Sequence, residues 1–141
     1  MDSSALTAEQ TERVIALAMD LAREGRTGEL GEFIAHGLPV DTRDGAGNTL
    51  LMLAAYHGHA ATVRALLDRG ADPDLLNDRG QSPLSGALFK GNDAVVALLH
   101  RAGADLDTGT PTARDAAVLF HRTHLLAPGT RPAPGTAATA S

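Results

Sequence analysis

The six histidines are the residues of this chain with the most obvious chemical potential. His57 and His59 flank Gly58, and His121 and His124 are separated by two residues, so a helix would place that second pair on one face. Imidazole nitrogens are common metal ligands, and either pair could begin a metal site. Neither pair has an obvious third ligand, and Gly58 separates the first two rings onto different elements. The spacing therefore favours structural roles, and we expect no metal site.

The acidic stretch 72–80 (DPDLLNDRG) is a second candidate, because it loosely resembles a calcium-binding loop. Such a loop needs a glycine where Asn77 stands and a bidentate glutamate where Pro83 stands. Aspartate and asparagine also close tight turns through bonds to the backbone, and we prefer that interpretation. Residues 44–47 lack the lysine of a phosphate-binding loop, and Leu84 stands where a nucleophile elbow needs glycine. We expect no catalytic residue and no cofactor, and predict that the protein is not an enzyme.

The composition limits which partners the chain can bind and which residues can form its core. A chain of 141 residues suits one domain, and the absence of cysteine excludes disulfides and thiolate metal sites. The net charge of −5 gives no basic surface suited to nucleic acid. There is no 18-residue apolar run and no pattern typical of a signal peptide at the start. We expect a cytoplasmic monomer that binds neither nucleic acid nor membrane. The 26 alanines and four aromatic rings favour helices packed at close range.

A repeat at a constant offset of 33 in residue number organises the middle of the chain. Residues 47–51 (GNTLL) align with 80–84 (GQSPL), and the same offset places Gly58 on Gly91 and 70–72 (GAD) on 103–105 (GAD). Residues 25–37 give a weaker copy, and a further step of 33 gives almost none. A fixed period of this length is the signature of stacked repeat units.

Each unit is predicted to contain a helix, a tight turn, a second helix and an extended hairpin. Thr49 and Ser82 are favourable N-caps, and Pro83 suits the first helical position, where its missing N–H has no cost. Gly58 and Gly91 permit the sharp turn between the two helices. One unit cannot bury its apolar face alone, so neighbouring units must stack.

The stretch 47–59 (GNTLLMLAAYHGH), with the GAD triplet at 70–72, closely resembles the ankyrin repeat, and 80–105 carries a second copy. The resemblance is strong over 44–107. It implies an all-α ankyrin-repeat solenoid of helix-turn-helix plus β-hairpin units, with about two full repeats between degenerate capping repeats. Leu50 departs from the family by replacing its proline, and Asn92 by replacing the histidine of its Gly-His pair.

The ends are expected to differ from the middle. We predict a disordered N-terminus over 1–6, an ankyrin-repeat domain over 7–126 and a disordered tail over 127–141. Within the domain we expect an N-terminal cap repeat over 7–43, repeats over 44–76 and 77–109, and one C-terminal cap helix over 110–126. A capping-box pattern at 7–10 would begin a first helix that ends near Glu24. Phe33 and Phe120 fall on apolar helix faces and are assigned to the core.

The resemblance also implies where a partner binds, since ankyrin repeats use the concave groove and the hairpin tips. Carried over by position, the predicted partner-binding residues are Arg43, Asn48, Met52, Tyr56, Leu75, Leu76, Arg79, Gln81, Phe89 and Lys90. Tyr56 and Phe89 are separated by one full period, so we expect their rings to form a short ladder on one face. Aromatic side chains are frequent anchors of protein interfaces. Of Leu75 and Leu76, one is expected to pack inward and the other to project.

These observations predict a non-catalytic adaptor or inhibitor that binds an unidentified protein partner. A bias towards arginine and alanine is typical of a GC-rich, bacterial-type source. Three alternatives stay open. The chain could bind a small molecule, or act as an unusual enzyme, through a pocket around Tyr56 and Phe89. The two rings could merely pack against the hairpins. Copies of the chain could associate head to tail.

Overall fold

The computed structural model describes residues 6–126, and the predictions of disorder for 1–5 and 127–141 lie outside that range. It contains four successive helix pairs. Their helices are α1 (Ala8–Glu24), α2 (Thr27–Ala35), α3 (Leu50–Tyr56), α4 (Ala60–Asp68), α5 (Pro83–Lys90), α6 (Asp93–Arg101), α7 (Ala113–Leu119) and α8 (Thr123–Leu126). The inner helices α1, α3, α5 and α7 pack in one row, and the outer helices α2, α4, α6 and α8 pack in a second. The predicted all-α solenoid is confirmed. None of these helices is long and apolar enough to cross a bilayer.

Side-chain caps begin the inner helices. The hydroxyls of Thr7, Thr49, Ser82 and Thr112 each accept a hydrogen bond of 3.0–3.1 Å from the backbone N–H three residues later. Each cap satisfies a helical N–H that would otherwise have no partner, which stabilises the helix by about 1 kcal/mol. The caps predicted at Thr49 and Ser82 and the capping box at 7–10 are confirmed.

Small residues let neighbouring inner helices approach each other closely. Ala54, Ala87 and Ala117 occupy the same position in successive inner helices, and each is fully buried. In the outer row, Leu30, Val63, Val96 and Leu126 fill the equivalent site. The alanine-rich composition therefore provides the close contact between inner helices, and the aliphatic residues of the outer helices fill the remaining core.

The prediction of one helix over 110–126 is wrong. The helix α7 ends at Leu119, a turn follows with His121 at φ 57°, and α8 then packs on α6 and α7. Helix-to-helix turns with a left-handed residue lie at Gly25, Gly58 and Gly91 before this one. The steps from each turn to the next are 33, 33 and 30 in residue number, so a search at a constant offset misses the last pair. The fourth turn also has a histidine where the first three have glycine, so the last helix pair lacks the glycine that marks the others.

The expected extended hairpins are also shorter than predicted. One isolated antiparallel bridge, Arg43 with Thr49, is the β-pairing found within residues 6–126. Asp44 and Asn77 close the turns instead, because each side chain accepts two backbone N–H bonds within its own loop. A five-residue turn held by these bonds leaves too few residues on either side to form a β-ladder. The interpretation of 72–80 as turn residues rather than a calcium loop agrees with these bonds.

Candidate functional site

Three aromatic rings form a row across the ends of the inner helices. The rings of Tyr56 and Phe89 lie parallel within 9°, with centroids 6.4 Å apart, and Phe120 meets Phe89 edge to face at 5.6 Å. Phe89 is 59% exposed, whereas Tyr56 and Phe120 are half-buried. The expected two-ring ladder is present. Phe120 packs against the core, as expected, but it also extends the ladder by a third ring that was not predicted.

The position of this row follows from the caps. Tyr56, Phe89 and Leu119 are each the seventh residue after the N-cap of their helix, so all three lie in the last turn on the same side. Leu119 is 64% exposed and continues the apolar surface beyond Phe89. An offset of 30 from Phe89 would have found Leu119 in the sequence. We call Tyr56, Phe89, Leu119 and Phe120 the ring face.

Positive charge lies beside the ring face. The Lys90 ammonium is 4.9 Å from the centre of the Tyr56 ring, within the range of a cation–π interaction. Arg43, Arg79 and Lys90 are all exposed and make no ion pair with any residue of the described chain. Their charges are therefore available to a partner.

An open pocket of about 440 Å³ adjoins Tyr56, between the end of α3 and the turn at 77–81. It collects five predicted site residues: Asn48, Met52, Tyr56, Arg79 and Gln81. The other five lie outside its lining: Arg43, Leu75, Leu76, Phe89 and Lys90. His57 and Arg23 line it as well. Phe89 does not contribute to the lining, so this pocket involves only one of the two rings named in the small-molecule alternative.

The amides at the pocket rim hold the turns together. Asn77 Nδ2 donates to Asn48 Oδ1 and Gln81 Oε1, both at 2.9 Å, and Asn77 Oδ1 accepts from the backbone of Arg79 and Gln81. These bonds link one repeat to the next and fix where the Arg79 backbone lies. Asn77, which was predicted only as a turn residue, therefore positions three predicted site residues: Asn48, Arg79 and Gln81. Met52, at 3% exposure, contributes the pocket floor rather than a projecting contact.

The consecutive leucines divide only in part as expected. Leu75 and Leu76 are both half-buried, and a Leu76 methyl group packs beneath Gly109 of the next turn. Leu76 therefore packs inward, as expected for one of the pair, whereas Leu75 is only partly exposed.

His57 and His59 have different surroundings. The His57 ring meets Tyr56 edge to face at 5.4 Å, and the pKa of His57 is lowered by partial burial and, less strongly, by the nearby charges of His59, Lys90 and Arg23. His59 Nε2 lies 2.7 Å from the Arg23 carbonyl oxygen at the end of α1. His59 therefore ties one repeat to the preceding one.

The geometry around the remaining histidines gives no metal centre. His121 lies in the turn and His124 in α8, so they do not share a helix face as predicted. Over residues 6–126, no cluster of three or more histidine, cysteine, aspartate or glutamate side chains could hold a metal ion.

A family model described as ankyrin repeats in three copies matches residues 18–110. The chain belongs to the ankyrin repeat family. The match ends before α7, which is where the spacing between successive turns shortens. Leu119 and Phe120 therefore lie in a divergent end of an otherwise regular ankyrin repeat protein.

The curated relatives share this module rather than a whole architecture. The chain is 46% identical to an ankyrin repeat protein of Pseudomonas aeruginosa over 55 residues, 39% of this chain and 32% of that protein. It is 40% identical to mouse oxysterol-binding protein-related protein 1 over 101 residues, 65% of this chain and 11% of that protein. It is 44% identical to the ankyrin repeat and KH domain-containing protein mask-1 of Caenorhabditis elegans over 57 residues, 40% of this chain and 2% of that protein. The chain thus spans about a third or less of the length of each. Ankyrin repeats are generally protein–protein interaction modules.

Proposed function

We propose that this ankyrin repeat chain is a non-catalytic adaptor or inhibitor that binds one cytoplasmic protein partner on the ring face. The observation that supports this most directly is the continuous row of Tyr56, Phe89 and Phe120, with Phe89 and Leu119 largely exposed. Exposed apolar groups cost solvation free energy that a partner recovers by covering them, and aromatic side chains recover most per residue. A row of this kind is suited to act as a binding anchor.

The charges near the row indicate the chemistry of the partner. Lys90 lies over the Tyr56 ring and Arg79 lines the adjoining pocket, and neither makes an ion pair with a residue of 6–126. A partner with apolar side chains flanked by carboxylates would complement both features. Rim charges of this kind speed association more than they tighten the complex, so the rings carry most of the affinity.

The test is partner capture with a ring-face variant. Tagged wild-type chain, the double variant Tyr56→Ala with Phe89→Ala, and the control Leu17→Ala would be compared on the same lysate, after circular dichroism confirms folding. The control also removes an exposed large apolar side chain, but one on α1 that lines neither pocket. We expect wild type and control to retain one common partner and the ring-face variant to lose it. Unchanged capture by the ring-face variant would contradict the proposal.

A second candidate function is binding of a small molecule in the 440 Å³ pocket beside Tyr56. Its volume lies in the range of ligand sites, and Met52, His57 and Arg79 bring an apolar floor and polar groups together there. A thermal-shift screen with metabolites tests it directly. A flat response across the panel would remove this candidate without affecting the first.

A further inference from the structure

A second and more apolar cleft, of about 680 Å³, lies at the base of the first helix pair. It is separate from the ring face and shares no lining residue with the pocket beside Tyr56. Its walls come from the first half of α1, the end of α2 and the loop at 37–42. The apolar lining residues are Leu6, Val14, Ile15, Phe33, Leu38 and Pro39.

The cleft exists because α1 is longer than the helices it stacks on. It has 17 residues, whereas α3 and α7 have 7 and α5 has 8. All buried residues of α1 lie between Ala18 and Ala22, in its second half. Thr11, Val14 and Ile15 continue the same face of the helix toward its N-terminus, past the first residue of α3, where they face the end of α2 and the loop at 37–42 instead of a neighbouring inner helix. This part of α1 thus presents an apolar face to a space that residues 6–126 leave unfilled.

The polar groups in the lining of this cleft are predominantly acceptors. Glu32 is exposed and makes no ion pair with residues 6–126, and the cleft lining contains no lysine or arginine. The His36 ring donates through Nδ1 to the Glu32 carbonyl oxygen at 2.8 Å, which leaves Nε2 of the neutral ring as an acceptor. The Thr42 hydroxyl proton is already donated to the Pro39 carbonyl. An occupant would therefore combine an apolar body with a donor-bearing, positively charged end.

We infer that this cleft is a binding site for a small cationic amphiphile, an alkyl chain that ends in an amine. The volume matches a ligand of drug size rather than a protein segment. The alkyl chain would cover Val14, Ile15 and Phe33, and the ammonium would pair with the Glu32 carboxylate. This site is independent of the ring face, so either proposal can fail without the other.

Isothermal titration of the full chain with hexylamine, octylamine and decylamine, each below its micelle concentration, tests the inference. Burial of one more methylene should raise affinity about fourfold until the cleft is filled. Decanoate and decanol test the charge, and we expect decylamine to bind at least ~10-fold more tightly than decanoate. Glu32→Gln should remove most of this preference, whereas Glu9→Gln, on the first turn of α1 and outside the lining, should keep it.

Location is tested with a pair of tryptophan variants on α1. Thr11→Trp would fill the cleft from an exposed position whose side chain makes no hydrogen bond, and Leu17→Trp places the same bulk outside the lining. We expect Thr11→Trp to abolish decylamine binding and Leu17→Trp to leave it unchanged, with circular dichroism confirming both folds. If Thr11→Trp does not fold, Pro39→Trp offers a second way to obstruct the cleft from its exposed loop wall. The inference is overturned by no binding, by equal binding of amine and carboxylate, or by binding that survives the obstructed cleft.

Discussion

Replacing Asn92 with histidine should stabilise the protein, and the structure supplies the comparison. His59 and Asn92 occupy the same position in successive repeats, directly after a left-handed glycine turn. His59 Nε2 reaches the Arg23 carbonyl oxygen at 2.7 Å. The carbonyl one period later is that of Tyr56, but Asn92 Nδ2 instead lies 3.5 Å from the carbonyl oxygen of the residue before it, Ala55. The second distance is at the outer limit of a hydrogen bond. The asparagine therefore does not make the bond to Tyr56 that corresponds to the bond from His59 to Arg23.

A glycine lies beside position 92, as one lies beside His59. His59 packs so close to Gly25 that an added Cβ there would lie 2.5 Å from the ring, and Asn92 stands in the same relation to Gly58. An intramolecular hydrogen bond contributes about 1 kcal/mol, and the long bond of Asn92 supplies part of that already. We expect Asn92→His to raise the free energy of unfolding by about 0.5–1 kcal/mol and the melting temperature by about 2–4 °C.

Urea denaturation and thermal melts at pH 8, above the ordinary pKa of histidine, measure this without a contribution from titration. His59→Asn is the matched reverse change and should lower the unfolding free energy by a similar amount. The reasoning is refuted if Asn92→His leaves stability unchanged or lowers it while His59→Asn destabilises, because the two positions would then not be equivalent.

Two further predictions concern the turns. Gly58→Ala should destabilise by about 1–3 kcal/mol, because Gly58 has φ +79° and its Cβ would meet the Asn92 amide oxygen at 2.9 Å. The control Gly28→Ala, in helix α2 with no atom within 4 Å of the new Cβ, should be neutral or slightly stabilising, and equal losses in urea melts would count against the strain argument. Folding lowers the pKa of His57 below its ordinary 6.5, so the unfolded chain binds the proton more readily than the folded chain does. The free energy of unfolding should therefore be highest above pH 6.5 and should decline as the pH falls through the pKa of His57 in the folded chain. His57→Gln should flatten this decline in urea melts between pH 5 and 8, and an identical slope in both proteins would show that His57 does not contribute.

Much of the fold could be predicted because its signals are local or periodic. A hydroxyl that caps the N–H three residues later needs no tertiary contact. The helix starts predicted at Thr49 and Ser82 were therefore correct. The constant period also placed Tyr56 and Phe89 on one face, since identical positions in stacked repeats must be neighbours.

The candidate site could be predicted only in part, because several contacts join residues with no shared pattern. The Asn77 bond to Asn48 crosses from one turn to the next, and the packing of Leu76 under Gly109 depends on how closely those turns stack. Phe120 was missed as a member of the ring face because its repeat is shorter than the others.

The sequence by itself determined the repeat, its caps and the aromatic pair, because short-range hydrogen bonds and a constant period carry that information along the chain. Only the tertiary structure decided how the stack ends. At one end, a left-handed turn at His121 allows α8 to fold back onto α6. At the other end, α1 extends past α3 and opens a cleft against the loop at 37–42. Both features depend on where a helix ends relative to its neighbour in space, and no local pattern of residues encodes that relation.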